Sequence, residues 1–545
     1  MITNPEAILN ALDPDQREAV EATRGPVCII AGAGTGKTRV ITHRVAYAIA
    51  TGVTDSSKSL ALTFTARAAG EMRTRLRDLG VANANARTFH SAALKQLMYF
   101  WPHTLGGAFP KLLPGKAPLI ANAIGSIDTY ITSSQSNLRD ISGEIEWAKA
   151  LEIPPHLYVE SALENGRSLR FPNAKDDKVN LSEVAKVYER YEYIKKQERV
   201  IDFEDVLLLT VGMLEEDRAV RERVRDQYRY FTVDEYQDVS PLQQRLLNLW
   251  LGNREELCVV GDPSQTIYSF AGATSVFLLS FTQRFPQAKV VRLSRGYRST
   301  PEIIRAANKI LRDAEQTHEH HELVSMNESG DAFSLDSFDS ASAEIQGVAD
   351  SIKSLLATID STDIAVLART NTQIDSMEKA LNSIGIQTQI KGSERFFDRT
   401  DVKDALKVIR QASVIPSEDW QRDLDSILNP FNNADFVVAL KNLAQESGAT
   451  SMRAFLRDIE ERAEQNNPPT LPGVTLSTLH AAKGMEWKRV FLVGVADGSL
   501  PLSSARTSRE IEEERRLLYV GLTRAQAHLS ISYAGKPSPF LTSIK

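Results

Sequence analysis

Short apolar runs recur along the chain, each leading into a stretch whose apolar positions are spaced for a helix. Val27-Cys28-Ile29-Ile30 enters a glycine-rich loop and then a helical pattern to about residue 50, and residues 60–64 enter a helix over 66–79. Further runs fill 230–233 and 257–260. Runs this short, alternating with helices, read as strands of a parallel α/β sheet. Between 90 and 200 the pattern changes to long helical stretches such as 181–198, broken by polar segments at 132–136 and 173–177, which predicts a helical insertion in the sheet domain. Later runs at 364–368, 474–478 and 490–495 come without a second glycine loop and predict a second α/β domain. Within it 400–472 is mostly helical, includes the amphipathic stretch 451–465, and ends at Asn466-Asn467-Pro468-Pro469, a boundary signal.

Length and composition narrow the class. A chain of 545 residues exceeds one ordinary core and predicts three to four folding units. With 42% hydrophobic and 25% charged residues and no apolar run of bilayer length, it reads as a globular protein with no membrane partner. The N-terminus lacks the basic start and apolar stretch of a secretion signal, and Cys28 and Cys258 lie in strand-like runs, so the cytoplasm is expected and a disulfide framework is not. A net charge of −6 does not by itself favour nucleic acid. A local basic and aromatic track would suffice, since the global balance mainly governs solubility.

The chemistry concentrates at strand ends. Ala31-Gly32-Ala33-Gly34-Thr35-Gly36-Lys37-Thr38 follows one strand and opens a helix. Such a turn aims backbone N–H groups and a helix N-terminus at phosphate, with Lys37 reaching the β and γ phosphates of ATP and Thr38 ligating Mg²⁺. Ala31 stands where the first loop glycine is usual, which leaves the cradle intact. Asp234-Glu235-Tyr236-Gln237-Asp238 follows Phe231-Thr232-Val233, which puts its carboxylates at the C-terminal end of a buried strand. Asp234 is expected to hold Mg²⁺ and Glu235 to act as base for the attacking water.

Taken in order, these segments resemble the UvrD, Rep and PcrA family of superfamily-one DNA helicases. The resemblance runs through Asp13-Pro14-Asp15-Gln16-Arg17, Thr63-Phe64-Thr65-Ala66, Thr88-Phe89-His90, Val260-Gly261-Asp262-Pro263-Ser264-Gln265-Thr266-Ile267-Tyr268 and Tyr297-Arg298-Ser299-Thr300. It continues through Thr478-Leu479-His480-Ala481-Ala482-Lys483-Gly484-Met485-Glu486-Trp487 and Tyr519-Val520-Gly521-Leu522-Thr523-Arg524-Ala525. The chain also resembles the second UvrD-like helicases of actinobacteria. The resemblance implies an α/β fold of two RecA-like P-loop motor domains, each with a mainly helical inserted subdomain, with the nucleotide between the motors and single-stranded DNA across their top. The implied boundaries are 1–90 with 200–281 for the first motor, 91–199 for its insertion, 282–391 with 473–545 for the second motor and 392–472 for its insertion. By the same resemblance Gln16 reads the adenine edge, Arg39 and Tyr297 sandwich the base, Glu486 touches the sugar, and Gln265 senses the γ-phosphate. Arg298 and Arg524 act as arginine fingers, a contribution worth about 10³ to 10⁵ in rate in other phosphoryl-transfer enzymes.

For the DNA track, Phe64, Tyr268 and Phe270 are the expected stacking faces, and Thr88, His90, Arg369, Thr478 and His480 match family positions that hold the strand. Phe270-Ala271 stands where the family usually has Trp-Arg, which shrinks the platform and removes one charged contact. The insertion at 400–472 is also shorter than in UvrD, Rep and PcrA, and the cysteines and length for the actinobacterial C-terminal extension are missing. The resemblance implies a bacterial, nucleoid-associated 3′-to-5′ helicase of DNA repair, recombination or replication restart, acting on single strands and single–double-strand junctions with a repair-protein partner. The competing reading is a translocase that strips proteins from DNA and unwinds poorly alone. A silent scaffold is disfavoured by Lys37, Thr38, Asp234, Glu235, Gln265, Arg298 and Arg524, and a nuclease fusion by the absence of a further metal-binding domain.

Overall fold

The first sheet is built from Val27–Ala31 (β1), Ser59–Thr63 (β2), Ala86–Thr88 (β3), Tyr230–Val233 (β4), Leu257–Gly261 (β5) and Lys289–Leu293 (β6), in the order β3-β2-β4-β5-β1-β6. Pairings β1–β5, β2–β3, β2–β4 and β4–β5 are parallel, with Ile29 opposite Val260 and Leu62 opposite Val233. Every residue of β2, β4 and β5 is buried, so these strands need apolar or hydrogen-bonded residues on both faces. Parallel pairing places the residues that follow β1, β2, β4 and β5 at one edge of the sheet, where open α/β sheets bind ligands. Those residues are the glycine loop, Phe64, Asp234-Glu235 and Asp262.

This computed structural model describes residues 4–544 apart from 82, 105, 170, 172–176, 313–321, 332, 392–395, 414–418, 432–434, 448 and 465–472. The expected boundary Asn466-Asn467-Pro468-Pro469, and most of the break at 173–177, lie outside the described residues. The chain divides into two compact units, Met1–Ile30 with Lys37–Val291, and Ala31–Gly36 with Arg292–Lys545. Among the described residues no helix is long and apolar enough to cross a membrane.

In the first unit, helix Lys37–Ala50 (α1) buries Val40, Ile41 and Val45 and begins directly at the glycine loop. Helix Phe89–Thr104 (α2) and helix Phe203–Glu216 (α5) pack in the main core. Between them lies a helical segment with its own core of Ile141, Ile145, Trp147, Tyr158, Val184 and Tyr191, carried largely by Gln135–Ala150 (α3) and Asp177–Glu198 (α4). An ion-pair knot joins that segment to the start of α5. Lys149 Nζ meets Asp202 Oδ2 at 2.8 Å and Asp205 Oδ1 at 2.6 Å, while Lys195 Nζ meets Asp202 at 3.1 Å and Asp205 at 2.5 Å. Burial alone would raise the Asp202 carboxyl, but the lysines hold it well below the carboxylate range.

The second unit holds Ser334–Phe338 (β7), Ile364–Ala368 (β8), Thr388–Ile390 (β9), Val474–Thr478 (β10), Trp487–Leu492 (β11) and Ala525–Ala534 (β12), ordered β7-β12-β11-β8-β10-β9 with all five pairings parallel. β11 starts three residues before the expected run at 490–495. Its first half carries the polar Lys488 and Arg489, which hide the strand from an apolar pattern, whereas Val493 and Val495 fall beyond its end. Helices Thr400–Ala412, Trp420–Leu428, Asp435–Glu446 and Met452–Glu464 share a separate core around Trp420, Leu424, Leu440, Phe455 and Ile459.

Candidate nucleotide and DNA sites

In the first unit, Asp234 and Glu235 follow β4 as expected, and the turn between them is unusual. Glu235 takes the left-handed conformation, φ 50° and ψ 42°, which costs about 1–3 kcal/mol for a residue with a Cβ. That turn lets the Asp234 carboxylate accept the Glu235 N–H at 2.9 Å and brings Glu235 Oε1 within 3.6 Å of Lys37 Nζ. The Lys37 Nζ is buried and has no hydrogen-bond partner among the described residues. A buried ammonium is stable only when paired and hydrogen-bonded, so this atom has room for further acceptors such as phosphate oxygens.

A residue to which the sequence assigned no role ties these groups together. Gln237 Nε2 donates to Glu235 Oε2 at 2.5 Å and to Asp238 Oδ2 at 3.3 Å, while its Oε1 accepts the Asp262 N–H at 3.0 Å. Gln265 Nε2 in turn donates to Asp262 Oδ2 at 2.7 Å. Gly261 makes room for the bridge, because a Cβ there would stand 2.5 Å from Gln237 Oε1. Gln16 is buried within a capping box, its Oε1 accepting the Asp13 N–H, and the Arg39 guanidinium donates to Ala11 O. Thr38 lies in the first turn of α1, half-buried. Thr38 and Asp234 offer the hard oxygen donors that suit Mg²⁺. Among the described residues another acidic group close enough to hold a metal, Glu192, Asp202 and Asp205, is already ion-paired to Lys149 and Lys195.

In the second unit Arg298 Nε donates to Glu486 Oε2 at 2.5 Å and its Nη1 to Thr523 O at 3.2 Å, while Gln526 donates to Glu486 Oε1 at 3.0 Å. Burial would raise the Glu486 carboxyl, but Arg298, with Gln526 and Arg524, outweighs it and the net shift is downward. Arg524 is only 2% exposed. Its guanidinium donates to Val520 O, Met485 O and Thr523 Oγ1 at 2.9–3.1 Å, bracing the end of helix Ser508–Leu522. Tyr297 is exposed, and its N–H donates to Gly34 O at 2.9 Å.

The expected DNA faces of the first unit come together. Phe64 stacks on Tyr268 with centroids 5.2 Å apart, and Phe270 meets Tyr268 edge-on at 6.1 Å. Phe64 is 41% and Phe270 52% exposed, so these rings form a surface platform rather than a core. Thr88 caps α2, its Oγ1 accepting the Ser91 N–H at 3.1 Å. Burial, helped by Lys116 and opposed by Asp202, lowers His90 to about 4, so its imidazole is neutral at physiological pH. Beside it, at 6.1 Å, stands Phe203, 44% exposed and absent from the expected track. Its spacing from Val206, Leu207 and Thr210 puts it on the apolar face of α5, so the pattern points to the core; its place in the first turn leaves it outside.

In the second unit Arg369 is held by Glu514 through three hydrogen bonds of 2.7–3.0 Å. The Thr478 hydroxyl accepts the Ala481 N–H at 3.3 Å. Burial, with the Arg369 and Lys483 charges, lowers His480 to about 4.

Comparison with known proteins gives a consistent match. The UvrD/REP helicase N-terminal domain matches residues 12–286, and the UvrD-like helicase C-terminal domain matches 291–414 and 425–536. The chain is 42% identical over 577 residues to the ATP-dependent DNA helicase UvrD2 of Mycobacterium tuberculosis, covering 98% of this chain and 80% of that one. Against the ATP-dependent DNA helicase PcrA of Bacillus subtilis it is 29% identical over 633 residues, covering 97% and 83%.

Proposed function

Because the chain belongs to the UvrD/Rep family of ATP-dependent DNA helicases, we propose that it is a two-motor translocase moving 3′ to 5′ along single-stranded DNA. The protein is a DNA-stimulated ATPase and helicase. The motors are RecA-like domains at 1–90 with 200–281 and 282–391 with 473–545, interrupted by helical insertions at 91–199 and 392–472.

The observation that carries the reading is the buried Lys37 Nζ, without a hydrogen-bond partner among the described residues and 3.6 Å from Glu235. Lys37 and the backbone N–H groups of residues 32–36 bind the phosphates of ATP. Glu235 takes the proton of a water that attacks the γ-phosphorus, the bond from that phosphorus to the β–γ bridging oxygen breaks, and ADP leaves. Thr38 and Asp234 would hold Mg²⁺, which would neutralise charge on the phosphates. Gln265 reports the γ-phosphate, Gln16, Arg39, Tyr297 and Glu486 hold the nucleoside, and Arg298 and Arg524 supply positive charge as hydrolysis proceeds. Support for the two arginines comes from the motif positions they occupy.

DNA bases stack on Phe64, Tyr268 and Phe270, with Phe203 as a further exposed ring beside His90, and Thr88, His90, Arg369, Thr478 and His480 hold the strand. Single–double-strand junctions and a repair protein are the proposed partners. Unwinding of 3′-tailed and 5′-tailed duplexes in ATP and Mg²⁺ tests this. Displacement from the 3′-tailed substrate alone is expected, and displacement from the 5′-tailed substrate alone overturns the polarity. ATP turnover with displacement from neither favours the protein-stripping translocase.

A further inference from the structure

The 3₁₀ turn Ser269–Ala271, which carries Phe270, has Ala271 where a charged side chain is usual in the family, yet a cation from the helical insertion reaches its backbone. Arg167 Nη1 donates to Phe270 O at 3.3 Å. The same guanidinium lies over the Trp147 ring at 4.4 Å and donates to both oxygens of the buried Glu144 at 2.5–3.0 Å. Glu144 Oε2 also accepts the Tyr158 hydroxyl at 2.6 Å. A planar guanidinium stacked on an indole and forked onto a carboxylate has little rotamer freedom left, so its Nη1 is a fixed donor. Behind the platform, Gly272 (φ +88°) closes on α3, where a Cβ would stand 2.7 Å from Leu151 Cδ1 and 2.9 Å from Ala150 Cβ. The turn under Phe270 is thus pressed onto the insertion by close packing and hydrogen-bonded by Arg167.

We infer that Arg167 is a positioning residue for the DNA platform, fixing the turn that carries Phe270 against the helical insertion so that strand affinity depends on how that insertion is seated. Arg167 acts through Phe270. The inference rests on the reading of Phe64, Tyr268 and Phe270 as the strand's stacking faces.

The test uses the full chain and measures ATP hydrolysis against oligo(dT) concentration for wild type, Arg167→Lys, Arg167→Gln, Phe270→Ala and Arg167→Gln with Phe270→Ala. A further variant, Arg167→Gln with Glu144→Gln, removes both charges so that no buried carboxylate is left unpaired. Arg167→Gln, alone or paired with Glu144→Gln, should raise the oligo(dT) concentration for half-maximal stimulation about tenfold, the scale of one stacked base, with a smaller change in the rate at saturating DNA. Arg167→Lys should recover part of that affinity, and Arg167→Gln should add little once Phe270 is Ala. The inference is overturned if the charge-free pair binds oligo(dT) like wild type, if it loses DNA-free and DNA-stimulated rates equally, or if its effect adds fully to Phe270→Ala. If Phe270→Ala itself leaves the oligo(dT) dependence untouched, the stacking-face reading fails as well; normal Arg167 variants beside a weakened Phe270→Ala refute the Arg167 role alone.

Discussion

Glu235 combines a strained backbone, a lysine at 3.6 Å and a hydrogen bond from Gln237, a set of contacts that a solvated surface carboxylate does not collect. Glu235→Gln should keep ATP and DNA binding and abolish turnover, as read by nucleotide binding alongside steady-state hydrolysis; normal DNA-stimulated hydrolysis would refute the base assignment. Gln237→Ala should lower the hydrolysis rate at saturating ATP by roughly tenfold or more, since hydrogen bonds to charged groups contribute about 1.5–3 kcal/mol. An unchanged rate would reduce Gln237 to a structural bridge. The pH dependence follows from His90 and His480, both lowered to about 4 mainly by burial. Each is neutral in the native state through the neutral range, so neither should produce a step in DNA-stimulated hydrolysis between about pH 6 and 8. At this scale Lys37, Thr38, Asp234 and Glu235 were legible because phosphate chemistry requires those side chains at strand ends. Gln237 was not, because an amide acquires a role only through the groups it bridges, and Phe203 was not, because its spacing matches a buried face.

The platform is a property of several elements, since Phe64 directly follows β2 while Tyr268 and Phe270 come from the loop and the 3₁₀ turn beyond β5. Phe270→Ala should weaken oligo(dT) binding by about 1–3 kcal/mol, measured by fluorescence anisotropy, with a larger loss in DNA-stimulated than in DNA-free hydrolysis. Equal losses would mean that the ring only supports the fold. The same scale explains which strands the sequence revealed. β8 and β10 lie inside the sheet, and nearly every residue in them is buried, so an apolar run marks them. β7 and β9 are edge strands with polar residues, and β12 mixes buried and half-buried positions over ten residues, so none of the three produces a continuous apolar run.

For the molecule as a whole, the alternation of strands and helices revealed two α/β units, while the joint between the first sheet and its insertion became visible only when Lys149 and Lys195 met Asp202 and Asp205. Lys149 stands 53 and 56 residues before Asp202 and Asp205, and no local pattern links it to them. Lys149→Met should destabilise the first unit by about 3–5 kcal/mol, because removing one partner leaves buried carboxylates uncompensated. The lowered Asp202 carboxyl contributes stability that is present above its unfolded value and is lost on acidification. Thermal melting of wild type should therefore fall below about pH 5, and Lys149→Met should flatten that dependence. A Lys149→Met protein with wild-type melting would show that the knot does not join the insertion to the sheet.

ATP turnover coupled to a stacked single strand is the claim on which polarity, platform and positioning all depend. Its most direct test is steady-state ATP hydrolysis by the full wild-type chain in Mg²⁺, with and without saturating oligo(dT). Hydrolysis that is slow alone and rises severalfold with oligo(dT) is the expected result; the same rate in both conditions would contradict it.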